Sequence, residues 1–279
     1  MSLILVTGGG GKTARRVSAQ LAERGLEHRV ASRSATGPGS VRFDWTLPQT
    51  HDAALDGATA VYLVAPPGVA EPLPVMLPFL QRALKKGVAR FVLLSASALE
   101  ENGPVMGAVH GWLRVHVPSW VVLRPTWFMQ NFSEQQHLPT ILADGAIYSA
   151  TTDGRVSFID AEDIAAVAVV ALTKPGFASG DLILTGPDCL SYDDVAALIS
   201  TAAGREIRHR RLSAEDLTEW FIKGGIPGSF APALAAMDTA ISLGAEDRTT
   251  QDVFNITGRP PGSFREFAAR NASVWKVTG

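Results

Sequence analysis

The chain has 279 residues, of which 46% are hydrophobic and 19% charged, and a formal net charge of −2. This suits one medium-sized α/β domain with at most a small appended lobe, and the near-neutral charge removes the electrostatic footprint that nucleic-acid binding requires. No apolar run reaches the roughly 18 residues needed to cross a bilayer. The single cysteine, Cys189, excludes an intramolecular disulfide, and no signal peptide precedes the first strand-like residues, so a cytoplasmic location is expected.

Leu3-Ile4-Leu5-Val6 reads as a strand and leads directly into Thr7-Gly8-Gly9-Gly10-Gly11-Lys12-Thr13-Ala14. A glycine at position 8 permits a tight turn, one at 11 lets the backbone approach a pyrophosphate, and Ala14 is small enough for a helix to pack on the sheet. The N–H groups of that helix start then face the phosphates. Ala14, Val17 and Leu21 continue the pattern at helical spacing, which separates a dinucleotide-binding turn from a merely flexible loop.

Further strands are predicted at Arg29–Ser32, Val41–Phe43, Ala60–Val64, Arg90–Leu94 and Trp120–Arg124. A helix with Met76, Leu80 and Ala83 on one face, closed by Gly87, separates the fourth strand from the fifth. Near-continuous apolar strands alternating with helices imply a parallel sheet covered on both faces, a Rossmann-like doubly wound α/β fold. The cofactor then lies at the carboxyl ends of the strands. In the second half, helix starts are marked at Asp160…Asp163, Ser191…Asp194, Ser213…Asp216 and Ser263…Glu266. One late strand, Asp181–Leu184, joins the sheet. The domains expected are a dinucleotide-binding domain over 1–186 and a small, mostly helical substrate lobe over 187–279. The loop after the sixth strand would contribute to the pocket, and the C-terminus would return to the main domain. The basic run Arg205–Arg211 reads as a solvated edge.

Where an NAD-specific site offers an acid after the second strand, this chain has Ser32 and Arg33. Arg33 can pair with a 2′-phosphate, Ser32 can donate to it, and Lys12 adds a second cation, which favours NADP(H). An ordinary exposed strand-end arginine is the other reading. Asp44 is placed to meet the adenine amino group, with Trp45 either beside it or in the core. Ala65 and Pro66 form a wall near the adenosine.

Conventional short-chain dehydrogenases protonate a carbonyl oxygen with Tyr-x-x-x-Lys. Here Tyr62, Tyr148 and Tyr192 are followed four residues later by Pro66, Thr152 and Ala196, so the pair is missing. Met106 and His110, on the helix after the fifth strand, reproduce its spacing. Methionine cannot donate a proton; His110 can contact the nicotinamide ribose or act as the acid. Hydride transfer to a ketone leaves an alkoxide that needs an acid, whereas transfer to an iminium carbon leaves a neutral amine that needs none.

The turn Thr7–Ala14, Phe43-Asp44-Trp45, Val61–Val64 and Arg90–Ser97 resemble the NmrA-like, atypical short-chain dehydrogenase family. Met106-Gly107-x-x-His110, Val122–Phe132, Ile147–Ala150 and Phe158–Ala165 narrow the resemblance to the festuclavine/agroclavine dehydrogenase group. It covers most of residues 3–215. The group implies NADPH-dependent reduction of a cyclic iminium without a catalytic tyrosine. By position, Ser95, Ala96, His110 and Pro125 are expected at the cofactor together with Thr7, Gly8, Gly11, Lys12 and Thr13. Ser97, Met106, Trp127, Phe128, Asn131, Tyr148 and Trp220 are expected at the substrate. An aromatic wall of Trp127, Phe128, Met106 and Tyr148 would favour a flat cation; Trp127 and Phe128 as core residues are the alternative. Asp160, Glu162 and Asp163 read better as a helix cap than as acid/base groups. No metal, nucleic acid or membrane partner is expected, and both a monomer and a homodimer stay open. The competing functions are a reductase of quinones, azo compounds or cationic dyes and a non-catalytic dinucleotide sensor.

Overall fold

The computed structural model describes residues 3–35 and 37–276. The chain begins with β1 (Leu3–Thr7), α1 (Lys12–Glu23), β2 (His28–Ser32), β3 (Ser40–Arg42), α2 (His51–Leu55), β4 (Ala58–Leu63) and α3 (Pro72–Lys85). It continues through β5 (Arg90–Leu94), α4 (Met106–His116), β6 (Ser119–Pro125), α5 (Leu138–Asp144), β7 (Ala146–Ser149) and β8 (Arg155–Val156). Then come α6 (Ala161–Thr173), β9 (Gly180–Leu184), β10 (Leu190–Ser191), α7 (Tyr192–Ala203) and β11 (Arg208–Arg211). The last elements are α8 (Ala214–Lys223), α9 (Ala231–Ser242), α10 (Asp252–Thr257) and α11 (Phe264–Arg270).

These elements form two compact units. The first takes the chain up to Pro125 together with Ala161–Leu184 and Asp252–Arg259. The second takes Thr126–Asp160, Thr185–Gln251 and the residues from Pro260 on. The single boundary expected near residue 186 is therefore corrected. The segment after β6 folds wholly into the second unit, because Phe132, Ile141, Ile147 and Phe158 find their apolar partners there.

The first unit carries a parallel sheet in the order β3-β2-β1-β4-β5-β6-β9. The order reverses between β1 and β4, which makes their carboxyl ends the topological switch point. The late strand expected at 181–184 pairs with β6, Leu123 facing Leu182. On one face Leu5, Val61, Leu63, Phe91, Leu93 and Val122 meet α3 through Met76, Phe79 and Leu80, and α4 through Met106, Val109 and Leu113. On the other, α1 buries Ala14, Val17 and Leu21, and α6 is buried along nearly its whole length. A sheet covered on both sides accounts for strands without polar alternation.

The second unit is mostly helical, with β7 and β11 paired in parallel and β8 and β10 antiparallel. An aromatic core of Phe132, Phe158, Tyr192, Phe264 and Phe267 surrounds Trp275, whose indole N–H donates to Phe132 O at 2.7 Å. The helix starts are built as the sequence predicts. Ser191 with Asp194 and Ser263 with Glu266 form reciprocal capping boxes, and Ser213 accepts from Asp216 N–H. The basic run becomes β11, whose arginines are exposed.

Candidate functional site

The first unit presents a tight glycine-rich turn between β1 and α1. Gly8 sits at φ 69°, and a side chain there would strike Val64, 2.8 Å from the added carbon. Gly11 N–H closes the turn onto Gly8 O at 2.7 Å, and Gly11 precedes the first residue of α1. Gly10 faces open space. Gly9, which the spacing rule treats as replaceable, cannot carry a side chain, since a Cβ would lie 2.2 Å from Val30 Cγ1. The turn is thus shaped for close approach of a pyrophosphate to backbone amides.

Several expected cofactor contacts prove to shape the turn from beneath. Thr7 is fully buried; its hydroxyl donates to Tyr62 O and accepts from Val64 N–H, each at 2.9 Å, tying β1 to β4. Thr13 is buried as well. Lys12 and Ser32 are half-buried, and Arg33 is exposed, with no hydrogen bond or salt bridge among the described residues. A guanidinium left unpaired at the end of β2 fits a 2′-phosphate. Asp44 Oδ1 accepts from the Thr46 N–H and hydroxyl at 2.9 and 2.8 Å, and these bonds hold its carboxyl below the usual range. Trp45 is a core residue rather than a cofactor contact: it packs edge-on against Phe43 and Phe79. Ala65 and Pro66 are half-buried after β4, as are Ser95 and Ala96 after β5.

The α4 pair also needs correction. Met106 is part of the core and does not present an open surface, because the inner face of α4 is apolar from Met106 through Leu113. His110 is 2% exposed, its ring lies 5.4 Å from that of Trp120, and neither nitrogen has a partner among the described residues. Burial pushes its pKa below the ordinary value. Contact with a nicotinamide ribose would require one of these buried nitrogens to be uncovered. Ser97 and Pro125 are likewise buried, with Ser97 N–H donating to Pro125 O at 2.9 Å. The Ser97 carbonyl accepts from Arg124, whose guanidinium also pairs with Glu100 and Asp181. Sequence reasoning gave Arg124 no role; it locks the carboxyl end of β6 to the segment after β5.

In the second unit, Trp127, Phe128 and Asn131 are half-buried. Trp127 packs beside the aromatic core, and Phe128 bridges to Ile159. Tyr148 and Trp220, distant in sequence, come together as a stacked pair with ring centroids 5.9 Å apart and planes at 23°, and Phe221 meets Trp220 edge-on. Asp160 accepts from Gln130 Nε2 at 2.7 Å and pairs with Arg270. An Asp193–His209–Ser149 array has hydrogen-bond spacings of 3.3 and 2.7 Å, but Ser149 is fully buried and also bonds Thr151, so the array fixes β7 to β11 and exposes no nucleophile.

Strand order, switch point and turn define a Rossmann-like fold, and the relatives below make it that of an NAD(P)-dependent oxidoreductase. The NmrA-like family model matches residues 116–248. An uncharacterized oxidoreductase of Bacillus subtilis, YesF, is 43% identical over 98% of this chain and 96% of its own length. An agroclavine dehydrogenase of Claviceps fusiformis is 40% identical over 98% of both. The chain belongs to the NmrA-like family. Its fold is also that of an Escherichia coli NADPH-dependent quinone oxidoreductase, with TM-score 0.79, 20% identity, and 97% and 99% of the two chains covered.

Proposed function

We propose that the protein is an NADPH-dependent reductase that delivers hydride to an activated C=N⁺ carbon without a Tyr-x-x-x-Lys proton donor. The observation that carries this reading is chemical. The helix position where a short-chain dehydrogenase holds its tyrosine has Met106, and no tyrosine in the chain has a lysine four residues on. An electrophile that is already cationic needs no proton from the enzyme, because hydride addition alone gives a neutral amine. NADPH supplies that hydride. The turn at Gly8–Gly11 would hold its pyrophosphate and Arg33 its 2′-phosphate. The relationship to an agroclavine dehydrogenase supports a nitrogen-containing cyclic substrate.

The test is NADPH oxidation across cyclic iminium salts, neutral imines, quinones, cationic dyes and ketones. Iminium salts are expected to be the best substrates and simple ketones the poorest. Ketones turning over fastest would end the proposal, and preference for quinones would move the protein to the alternative class. For the cofactor, Arg33→Ala should weaken NADPH by about 1.5–3 kcal/mol, as for a lost charge-assisted contact, and leave NADH nearly unchanged. Equal losses for both would assign Arg33 a structural role.

A further inference from the structure

Beside the Tyr148–Trp220 pair, the second unit holds a carboxylate that the reading above does not use. Asp238, on α9, is half-buried, and its Oδ2 accepts from Ala150 N–H at 2.9 Å, two residues beyond Tyr148. That bond lies just past the end of β7, where Ala150, Leu217 and Ala235 form a small apolar cluster with Leu212, Trp220 and Phe221 packed on it. Oδ1 has no hydrogen bond, and no cation pairs with the carboxylate, among the described residues. On the elements packed against α9, Arg155 of β8 pairs with Asp194, and Lys223 and Asp216 of α8 are bonded to Glu219 and Ser213, while Asp144 accepts from the Tyr148 hydroxyl at 3.4 Å. Tyr192 on α7 is the titratable group that senses Asp238.

Burying a carboxylate without a cation is unfavourable, so a site that keeps one unpaired is suited to a ligand that supplies the charge. Stacked aromatic faces favour the same ligand, a flat cation. We propose that Asp238 is the counter-ion that recognises the positively charged nitrogen of the substrate, with Tyr148 and Trp220 receiving its ring system. This deepens the reductase proposal and rests on it for the identity of the ligand as a substrate. Burial raises the Asp238 pKa to about 6, against the Ala150 N–H, which lowers it, so the carboxylate is charged at neutral pH.

Binding is measured on the full chain with NADP⁺, and hydride transfer separately on the same chain with NADPH, comparing wild type with Asp238→Asn, which keeps an oxygen for Ala150 N–H. The probes are N-methyl-3,4-dihydroisoquinolinium, a permanent cation, and 3-methyl-1,2-dihydronaphthalene, its neutral analogue in shape. Asp238→Asn should weaken the cation by about 10- to 100-fold, the range for a lost charged contact. The neutral analogue should change by less than about threefold, and Asp238→Glu should restore part of the cation affinity. Equal losses for both probes, or undiminished cation binding, would overturn the assignment. Asp238-dependent cation binding without hydride transfer would leave the site standing and refute the reductase reading. Hydride transfer to the cation with full affinity in Asp238→Asn would do the reverse, and a wild type that binds no cation would refute both.

Discussion

Two charges, one in each unit, are held in opposite ways. In the first, the Arg124 side chain is only 6% exposed, but it reaches Glu100, Asp181 and the Ser97 carbonyl, so its charge is compensated within the protein. In the second, the Asp238 carboxylate is half-buried against a single backbone N–H and meets no cation among the described residues. A compensated charge fixes geometry: Arg124 holds the end of β6 in place for the strand ends above which a dinucleotide binds. An uncompensated charge stores unfavourable energy that a ligand can relieve. On the proposed reading, the Rossmann unit offers its ligand backbone amides and a tight turn, whereas the lobe offers side chains from β7, α8 and α9.

The strongest way to sharpen this contrast is Gly11→Val. In the first unit the added Cβ would lie 3.1 Å from Gly8 O, tight but tolerable with a small shift, while the branched methyls occupy the space of the pyrophosphate. NADPH affinity should fall by roughly 100-fold or more, about 2.7 kcal/mol, with the circular dichroism spectrum and cooperative melting retained. A folded Gly11→Val protein that still binds NADPH would show that the turn does not cradle the phosphates.

The same contrast explains what could be read from the sequence. The Rossmann unit is written in contiguous signals: an apolar strand, a glycine turn and a helix with Ala14, Val17 and Leu21 on its inner face. Strand order then follows from alternation and handedness. The Arg33 proposal rests on such a signal too, an acid missing where one is usual. Gly9 was not legible, because its constraint comes from Val30 on the neighbouring strand. Trp45, Met106 and Ser97 were assigned to ligands by position along the chain, but burial in the core decides their roles. In the lobe, Tyr148 and Trp220 were each picked out from the sequence, but their stacking was not legible there. Asp238 gave no signal, since an acid in an α9 sequence of Ala, Met and Thr reads as a solvated residue until Ala150 is brought against it.

A smaller effect tests the unpaired charge directly through stability. With its pKa raised to about 6, Asp238 takes up its proton more readily in the folded state than in the unfolded one, where 3.8 applies. Stability from this group is greatest below the unfolded pKa, declines as pH rises towards the folded pKa, and stays at its lower level above it. Asp238→Asn removes that decline. The variant should be more stable than wild type at pH 7 by about 1–2 kcal/mol, discounted from the full shift because the group is only partly buried. The difference should shrink as pH falls from 6 to 4 in thermal melts. A less stable variant at pH 7 would mean that the carboxylate is an ordinary structural group, and the contrast with Arg124 would collapse.

The smallest effect is expected at Met106. Because its side chain packs with Val109 and Leu113 under β5, Met106→Leu nearly conserves volume and should cost less than about 1.5 kcal/mol of stability. If no proton leaves the enzyme at this position, turnover of a permanent iminium should stay within about threefold of wild type, a change of packing size. With the cation saturating, its rate should also be independent of pH above about 6, where Asp238 is ionised, wherever the fold and cofactor binding are intact. His110→Ala separates the remaining possibility. Removing a ring enclosed against Trp120 leaves a cavity, so melting temperature should drop. The chemical step should lose far less than the ~10⁴-fold upper range for deleting a general acid. If His110→Ala instead abolishes hydride transfer while NADPH binds normally, one of the buried ring nitrogens must be uncovered during the reaction. His110 would then be the proton donor, and the enzyme would be a reductase of neutral acceptors with no need for a counter-ion at Asp238.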